Sequence, residues 1–394
     1  MNRHGWTYKK LGDICCNITD GSHNPPKGIE HSQYKMISSQ NIFDDKIIIN
    51  NNNVRYLSEE DYEIENKRTN IKKGVVLLTI VGTIGRSCVV KGDEGLLTLQ
   101  RSVAALTPCP NINPRYLMHS LIGNRDKLNN EAHGIAQKGL YLKKLSSLSI
   151  PVPSIKEQEA IVAELDEINE AIEALQKQVA DLDTLTQSTF FTMFGDQLQW
   201  DNKPLKDVTS KMGSGATPRG GNQSYKDEGI SLIRSLNVYN GYFKRKDLAH
   251  IDEIQAAQLN NVVVEENDVL LNITGASVAR CCIVPSDILP ARVNQHVSIL
   301  RPNDDLVNHV FLCHYLISDT AQGQLLLLSK SKAATREALP KAVLEKFLIP
   351  LPPLSLQQDF VAKVEAIESA KSEINSQITE MQTLLASRMD YYFD

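Results

Sequence analysis

The chain carries one plan twice. Leu11-Gly12-Asp13-Ile14 matches Leu205-Lys206-Asp207-Val208, and Ile37-Ser38-Ser39-Gln40-Asn41-Ile42 matches Ile233-Arg234-Ser235-Leu236-Asn237-Val238. Val76-Leu77-Leu78-Thr79-Ile80 matches Val269-Leu270-Leu271-Asn272-Ile273, and Gly82 and Arg86 fall opposite Gly275 and Arg280. Leu99-Gln100-Arg101-Ser102-Val103 sits opposite Val293-Asn294-Gln295-His296-Val297, and Ile150-Pro151-Val152-Pro153 opposite Ile349-Pro350-Leu351-Pro352. The offset drifts only between 193 and 199 residues. A period that long means a duplicated unit with small loop insertions, because solenoid repeats run to roughly 20–50 residues. Whatever topology one half takes, the other must take as well.

Each half reads as a mixed module, a Pro-x-Pro hinge and a long helix. The boundaries fall at 1–153 for the first module, 154–195 for the first helix, 196–353 for the second module and 354–394 for the second helix. Within the modules, Val75–Val81 and Val269–Ile273 are short apolar runs that read as buried strands. Pro114–Ile122 and Leu306–Ile317 read as helices between the strands and the hinge. The fold class expected is α+β, two similar modules joined by two long antiparallel coiled-coil helices, with internal pseudo-two-fold symmetry.

The helices give the clearest local signal. Ser154 can cap the first, and Glu157 completes a capping box. Apolar residues then recur as Ile161, Leu165, Ile168, Ile172, Leu175, Val179 and Leu182, alternating steps of four and three. The second helix repeats the rhythm as Phe360, Val364, Ile367, Lys371, Ile374, Ile378, Met381 and Leu385, broken only by Lys371. This is an a/d heptad seam, and neither stripe can be left in water. Each helix is the natural partner of the other; packing on its own module is the alternative. Lys371 reads as a polar contact or register pin. The first seam is roughly 33 Å long at ~1.5 Å per residue, close to the ~34–36 Å of one turn of B-DNA. A helix pair of that length could hold two modules about one turn apart on a duplex.

Charge follows the same segmentation. The chain has a net charge of −5, yet residues 1–153 hold 20 basic and 14 acidic residues while 154–195 hold 2 and 9. Residues 196–353 balance at 17 of each, and 354–394 hold 3 basic and 7 acidic. The acidic first helix is poorly suited to lie on phosphates and suits solvent or a basic protein surface; DNA contact would fall to the modules. No apolar run approaches the ~18–20 residues that span a bilayer, and no apolar signal segment follows Met1. Seven cysteines without a C-x-x-C pair read as free thiols in a reducing cytoplasm.

Taken together, the residues resemble a known family. Two modules alternate with two heptad helices, each introduced by Ile-Pro-x-Pro and a Gln-containing start, Glu157-Gln158-Glu159 and Gln357-Gln358. The first helix closes in Ser188-Thr189-Phe190-Phe191-Thr192-Met193-Phe194-Gly195-Asp196. Over essentially its whole length the chain resembles the specificity (S) subunit of type I restriction-modification enzymes. The resemblance implies that each module is a target-recognition domain for one half of a bipartite DNA sequence. It implies that the helices set the gap and dock modification (methyltransferase) subunits, and that restriction (ATP-dependent translocase/nuclease) subunits join the assembly. AdoMet, ATP and Mg²⁺ would then belong to partner chains. The openings Asp20-Gly21-Ser22-His23-Asn24-Pro25-Pro26 and Gly213-Ser214-Gly215-Ala216-Thr217-Pro218-Arg219 look like the turns that begin such domains. Glycine there either lets backbone approach a phosphate or makes an ordinary turn.

Candidate DNA contacts are Arg86 and Arg280, equivalent across the repeat; the amides and donors of Gln100, Arg101, Asn294 and Gln295; and Arg219, Arg234, Lys138, Lys330, Lys332 and Arg336 in loops. Lys and Arg supply affinity on phosphates; Arg, Lys, Asn and Gln supply specificity on base edges. The alternative for each is a surface salt bridge, for Arg86 and Arg280 a structural role, and Gln100 and Asn294 could equally tie down a strand edge.

Catalysis by this chain finds little support. Asn24-Pro25-Pro26 is followed by Lys27 rather than the aromatic of amino-methyltransferases, and no Gly-x-Gly turn for AdoMet precedes it. No G-x-x-x-x-G-K-[ST] or H-E-x-x-H pattern occurs. His119 and His314 lie on apolar helical stretches and read as core residues, and Cys88 and Cys282 as small buried side chains. The competing readings are a stand-alone DNA methyltransferase or nuclease, and a coiled-coil adaptor that never touches nucleic acid.

Overall fold

The computed structural model describes residues 5–132, 139–195, 200–330 and 337–394, with Asn222 by its backbone alone. The chain divides into two compact units, residues 1–176 with 375–394, and residues 177–374. Each unit therefore holds one module, part of the first long helix and part of the second.

The modules share one strand order. In the first, an antiparallel sheet runs Cys15–Asp20, Val103–Pro108, Val76–Thr79, Ser87–Val89. In the second, Thr209–Ser214, Val297–Pro302, Val269–Asn272 and Cys281–Ile283 follow the same order. Beside each lies a smaller sheet with one parallel pairing, Tyr34–Ile37 with Leu96–Leu99 and Ile230–Ile233 with Ala291–Val293. A two-residue-strand hairpin completes each set, Ile42–Phe43 with Lys46–Ile47 and Val238–Tyr239 with Tyr242–Phe243.

Packing on both sheet faces explains the uninterrupted apolar runs. Val76, Leu78 and Ile80 enter a core with Ala104, Leu106 and Leu117. Val75 and Leu77, pointing the other way, enter a second core with Ile37, Leu99 and Ala105. Alternate side chains of a strand point to opposite faces, so a strand buried on both sides needs no polar alternation. Cys88 and Cys282 pair with Leu77 and Leu270 in the registers of the two large sheets and are both buried. Burial pushes both thiols well above the ordinary cysteine range.

The module helices are set by asparagine caps. The Asn113 side chain accepts from the N–H groups of Arg115 and Tyr116 at the start of Pro114–Gly123. Asn308 accepts from Val310 at 2.7 Å, so the second helix spans His309–Ile317 and starts three residues later than the apolar pattern alone implies.

The first long helix spans Ile155–Phe194 and the second Leu354–Phe393, 40 residues each. The capping box is present: the Ser154 N–H donates to Glu157 Oε2 at 2.9 Å, and the Glu157 N–H to Ser154 Oγ at 3.4 Å. The heptad seam follows the expected rhythm. Ile161, Leu165, Ile168, Ile172, Phe360, Val364 and Ile367 are buried, and Leu175, Val179, Leu182, Ile374, Ile378, Met381 and Leu385 are partly covered.

Inside each unit the two helices run antiparallel. In the first, Ile161, Val162 and Leu165 pack with Leu385, Met389, Tyr392 and Phe393. Arg388 bridges to Glu164 (Nη2 to Oε2, 2.9 Å) and holds that carboxyl below its ordinary range. In the second, Phe190 and Phe194 pack with Phe311, Phe360 and Val364. There Lys371 Nζ lies 2.7 Å from Asp183 and 2.8 Å from Glu368, a cross-helix ion pair at the one charged seam position. The helices thus pack on each other and on the modules at once.

One buried glutamine ties each helix to its module. The Gln158 and Gln357 side chains are both 0% exposed. Gln158 accepts from the Asn113 N–H at 2.9 Å and donates to the Asn111 and Pro153 carbonyls. Gln357 accepts from the Asn308 N–H at 2.8 Å and donates to the Leu306 and Pro352 carbonyls. The Gln-containing helix starts of the sequence are these two clamps.

Both core histidines have partners. His119, 3% exposed, bonds Asp166 at 2.7 Å, where Arg115 also binds Asp166 and Asp45. His314 lies against the rings of Phe190 and Phe360. Burial, assisted by Lys371, lowers its pKa from 6.5 to about 4. Between those values the unfolded chain binds a proton that the folded chain refuses. His314 therefore leaves stability intact above pH 6.5 and removes up to ~3 kcal/mol as pH falls to 4. Denaturant unfolding of wild type and His314→Leu, followed from pH 7 to pH 4.5, should show the variant losing much less stability; equal losses would remove His314 from the account.

Candidate nucleic-acid interface

At one end of the first module the turns around Ser22, Ser39, Ile80 and Gln100–Ser102 are laced together by backbone. The Gln100 N–H donates to the Ile37 carbonyl and the Arg101 N–H to Ser22, both at 2.9 Å. The Ile80 N–H reaches the Ser102 carbonyl at 2.9 Å, and the Ser39 N–H reaches Ser102 Oγ at 3.0 Å. The second module repeats the arrangement. The Asn294 N–H donates to Ile233 at 3.0 Å, Ile273 to His296 at 2.9 Å and Leu339 to Ile273 at 2.8 Å. A cavity of 550 Å³ opens there, lined by Thr274, Ser277, Arg280, His296 and Glu337 among others. Exposed loops held by a rigid sheet are where recognition residues usually sit.

The glycines of the opening turns serve the module itself. A side chain on Gly21 would collide with the Leu99 carbonyl, and one on Gly215 with the Val293 carbonyl. The Gly21 N–H donates to Val103 and the Gly215 N–H to Asn294, each at 3.1 Å. Their small size admits the chain's own neighbouring turn, which favours the reading of these glycines as turn residues over a phosphate cradle.

Among the described residues, the guanidinium groups of Arg86, Arg101, Arg219 and Arg280 have no hydrogen-bond or ion-pair partner, and all four belong to the sequence-derived candidates. Every other described arginine is engaged, such as Arg125 with Asp44 and Arg301 with Asp268. Arg101 and Arg219 are exposed. Arg86 lies over the Phe43 ring at 4.9 Å and Arg280 over Tyr239 at 4.5 Å. Arg234 is a different case: it lies over Tyr225 at 5.1 Å, and its Nη2 donates to the Asp247 carbonyl within the module.

Asn294 takes the structural alternative. It is 4% exposed, and its side chain accepts from the His296 N–H at 2.9 Å, so it shapes the turn rather than facing out of it. Gln295 is exposed and bonds Thr217 and His296. Gln100 is half-buried beside Ser22, and Lys330 is exposed beyond the helix Asp319–Ser329. Lys138, Lys332 and Arg336 lie outside the described residues. Sequence reasoning missed Phe43 and Tyr239; carrying the 37–42/233–238 match one residue further pairs them.

The family model for the type I restriction modification DNA specificity domain matches residues 3–182 and again 197–381. The chain belongs to this family. A match to the type I restriction enzyme EcoBI specificity subunit of Escherichia coli is 29% identical over 48% of this chain and 40% of that protein, so it spans less than half of that relative. A Methanocaldococcus jannaschii protein, provisionally described as the type I restriction enzyme MjaX specificity subunit, is 22% identical over 92% of this chain and 87% of its own length. The crystal structure of the type I restriction-modification S subunit from M. genitalium covers 100% of this chain and 97% of its own, with a TM-score of 0.55 at 14% identity, a likeness of fold. The family membership makes this a DNA sequence-specificity chain, not a catalytic one. Among the described residues no helix is long and apolar enough to cross a membrane.

Proposed function

We propose that each module binds one half of a bipartite DNA target, that the paired long helices fix the gap between the halves, and that modification (methyltransferase) subunits dock on those helices. Restriction (ATP-dependent translocase/nuclease) subunits complete the assembly. On this reading AdoMet, ATP and Mg²⁺ are held by the partner chains, and the whole complex works in the cytoplasm.

The observation that carries the proposal is the repetition of one loop cluster in both modules, with, at the same position, an arginine that lies on an aromatic ring and has no hydrogen-bond or ion-pair partner among the described residues. An adaptor that joins proteins has no need to keep guanidinium groups free on matching loops. Phosphates bind such groups, and sequence is read by what reaches the base edges. The acidic first helix, with 9 acidic and 2 basic residues over 154–195, is repelled by the duplex and suits a basic protein surface.

Replacing residues 1–150 with the corresponding segment of a relative of different specificity tests the division of labour. Methylated DNA from cells making the hybrid with its modification partner should show one half-site changed and the other kept. Change in both halves, or in neither, would remove the assignment of one module to one half.

A further inference from the structure

We propose that Arg86 and Arg280 are the paired base-reading side chains, each presenting its N–H edge to a guanine in its own half of the target. The inference deepens the proposed function and rests on it. The two arginines are equivalent in structure as well as in sequence. Each carbonyl accepts from the last residue of the preceding central strand, Thr79 at 2.9 Å for Arg86 and Asn272 at 2.8 Å for Arg280. Each guanidinium lies on an aromatic ring from the same short hairpin, Phe43 in one module and Tyr239 in the other. In the second module Tyr242 stacks on Tyr239 with ring centres 4.9 Å apart.

Stacking fixes the plane of a guanidinium while leaving its N–H rim open. Guanine presents O6 and N7 as two acceptors side by side in the major groove, matched by that rim. Holding the fork in place beforehand reduces the side-chain entropy lost on binding. Arg101 and Arg219, exposed and with no ring beneath them among the described residues, suit the less demanding task of phosphate contact.

The backbone supports the assignment. The residue before each arginine is left-handed, Gly85 at φ 92° and Ala279 at φ 70°. A left-handed alanine is strained, and such strain gathers at sites where a side chain must be aimed. The cavity beside Arg280 also contains Glu337, whose carboxylate repels a phosphate but accepts from the cytosine amino group paired with guanine.

The test uses the full chain produced with its modification partner, reading the methylated motif across the host genome. Arg280→Ala should relax one G·C position in one half-site, with discrimination there falling about 5- to 150-fold; Arg86→Ala should do the same in the other half. Arg280→Lys keeps the charge but loses the fork, and should relax the same position while folding normally. A wild-type complex with no two-part motif would overturn the proposed function itself. A wild-type two-part motif left intact by all three variants, with binding weakened uniformly and the salt slope reduced by about one, would make these arginines phosphate contacts and overturn the inference alone.

Discussion

One extra heptad in each long helix lengthens the gap of the recognised DNA motif by about three base pairs and leaves both half-sites as they were. Seven helical residues add ~10.5 Å, and B-DNA rises ~3.4 Å per base pair. The insertion must be matched. Glu164–Arg388 and Asp183–Lys371 fix the antiparallel register, which brings Leu175 opposite the turn around Ile378. Seven residues added after Leu175 alone would leave the second helix without partners for them and pull one of these ion pairs apart. The single insertion should therefore lose assembly rather than gain gap. Three base pairs also turn one half-site by roughly 100° relative to the other, so methylation should slow even as the motif moves. Sequencing methylated DNA from cells carrying each version decides the matter. An unchanged gap with the matched insertion would mean that the helices do not measure distance.

Gly215→Ala should unfold the second module. Its new methyl group would lie inside van der Waals distance of the Val293 carbonyl and close to Val262. Neither neighbour is a flexible side-chain end, because one is strand backbone and the other is a buried core residue just before the strand Val263–Val264. Relief requires the opening turn to leave Asn294, which costs the 3.1 Å Gly215 hydrogen bond as well. A loss beyond ~4 kcal/mol is expected, at the far end of what single substitutions do. Gly21→Ala should act likewise on the first module through Leu99. Gly323→Ala is the contrast: that glycine lies in the helix Asp319–Ser329 with open space around it, and the change should stabilise by ~0.5–1 kcal/mol. Thermal unfolding of the three variants gives the comparison, and a Gly215→Ala protein melting with wild type would refute the steric argument.

Both effects trace to features of unequal visibility in the sequence. The heptads and the duplication are periodicities, readable without any knowledge of what lies nearby in space. The capping box at Ser154 and Glu157 is equally local. The parallel pairing of Tyr34–Ile37 with Leu96–Leu99 was not legible, because its partners lie some 60 residues apart in the chain. The helix Glu59–Thr69 was legible in principle, since Ser58 caps its start and Asn70 turns left-handed at its end. Its weak apolar stripe hid it.

The candidate interface divides in the same way. The repeat selected Arg86 and Arg280, and residue type selected Arg101 and Arg219. What type could not reveal is which polar groups the module uses for itself. Asn294 and Arg234 look as available as their neighbours in sequence, yet one closes a turn and the other donates to the Asp247 carbonyl. The opening glycines stayed open between two readings for a related reason. A glycine permits close approach, but the sequence does not say whether ligand or backbone approaches.

The first unit combines residues 1–176 with 375–394, and Phe393 and Leu385 help to close its core around Tyr116 and Leu165. During translation the first unit therefore cannot be completed until residues 375–394 are made, while all of the second unit, 177–374, has already been made by then. Until Leu385 and Phe393 are in place, the apolar stripe from Ile161 to Leu165 has no cover from the second helix. Losing those helix turns would thus damage the unit that contains the first module.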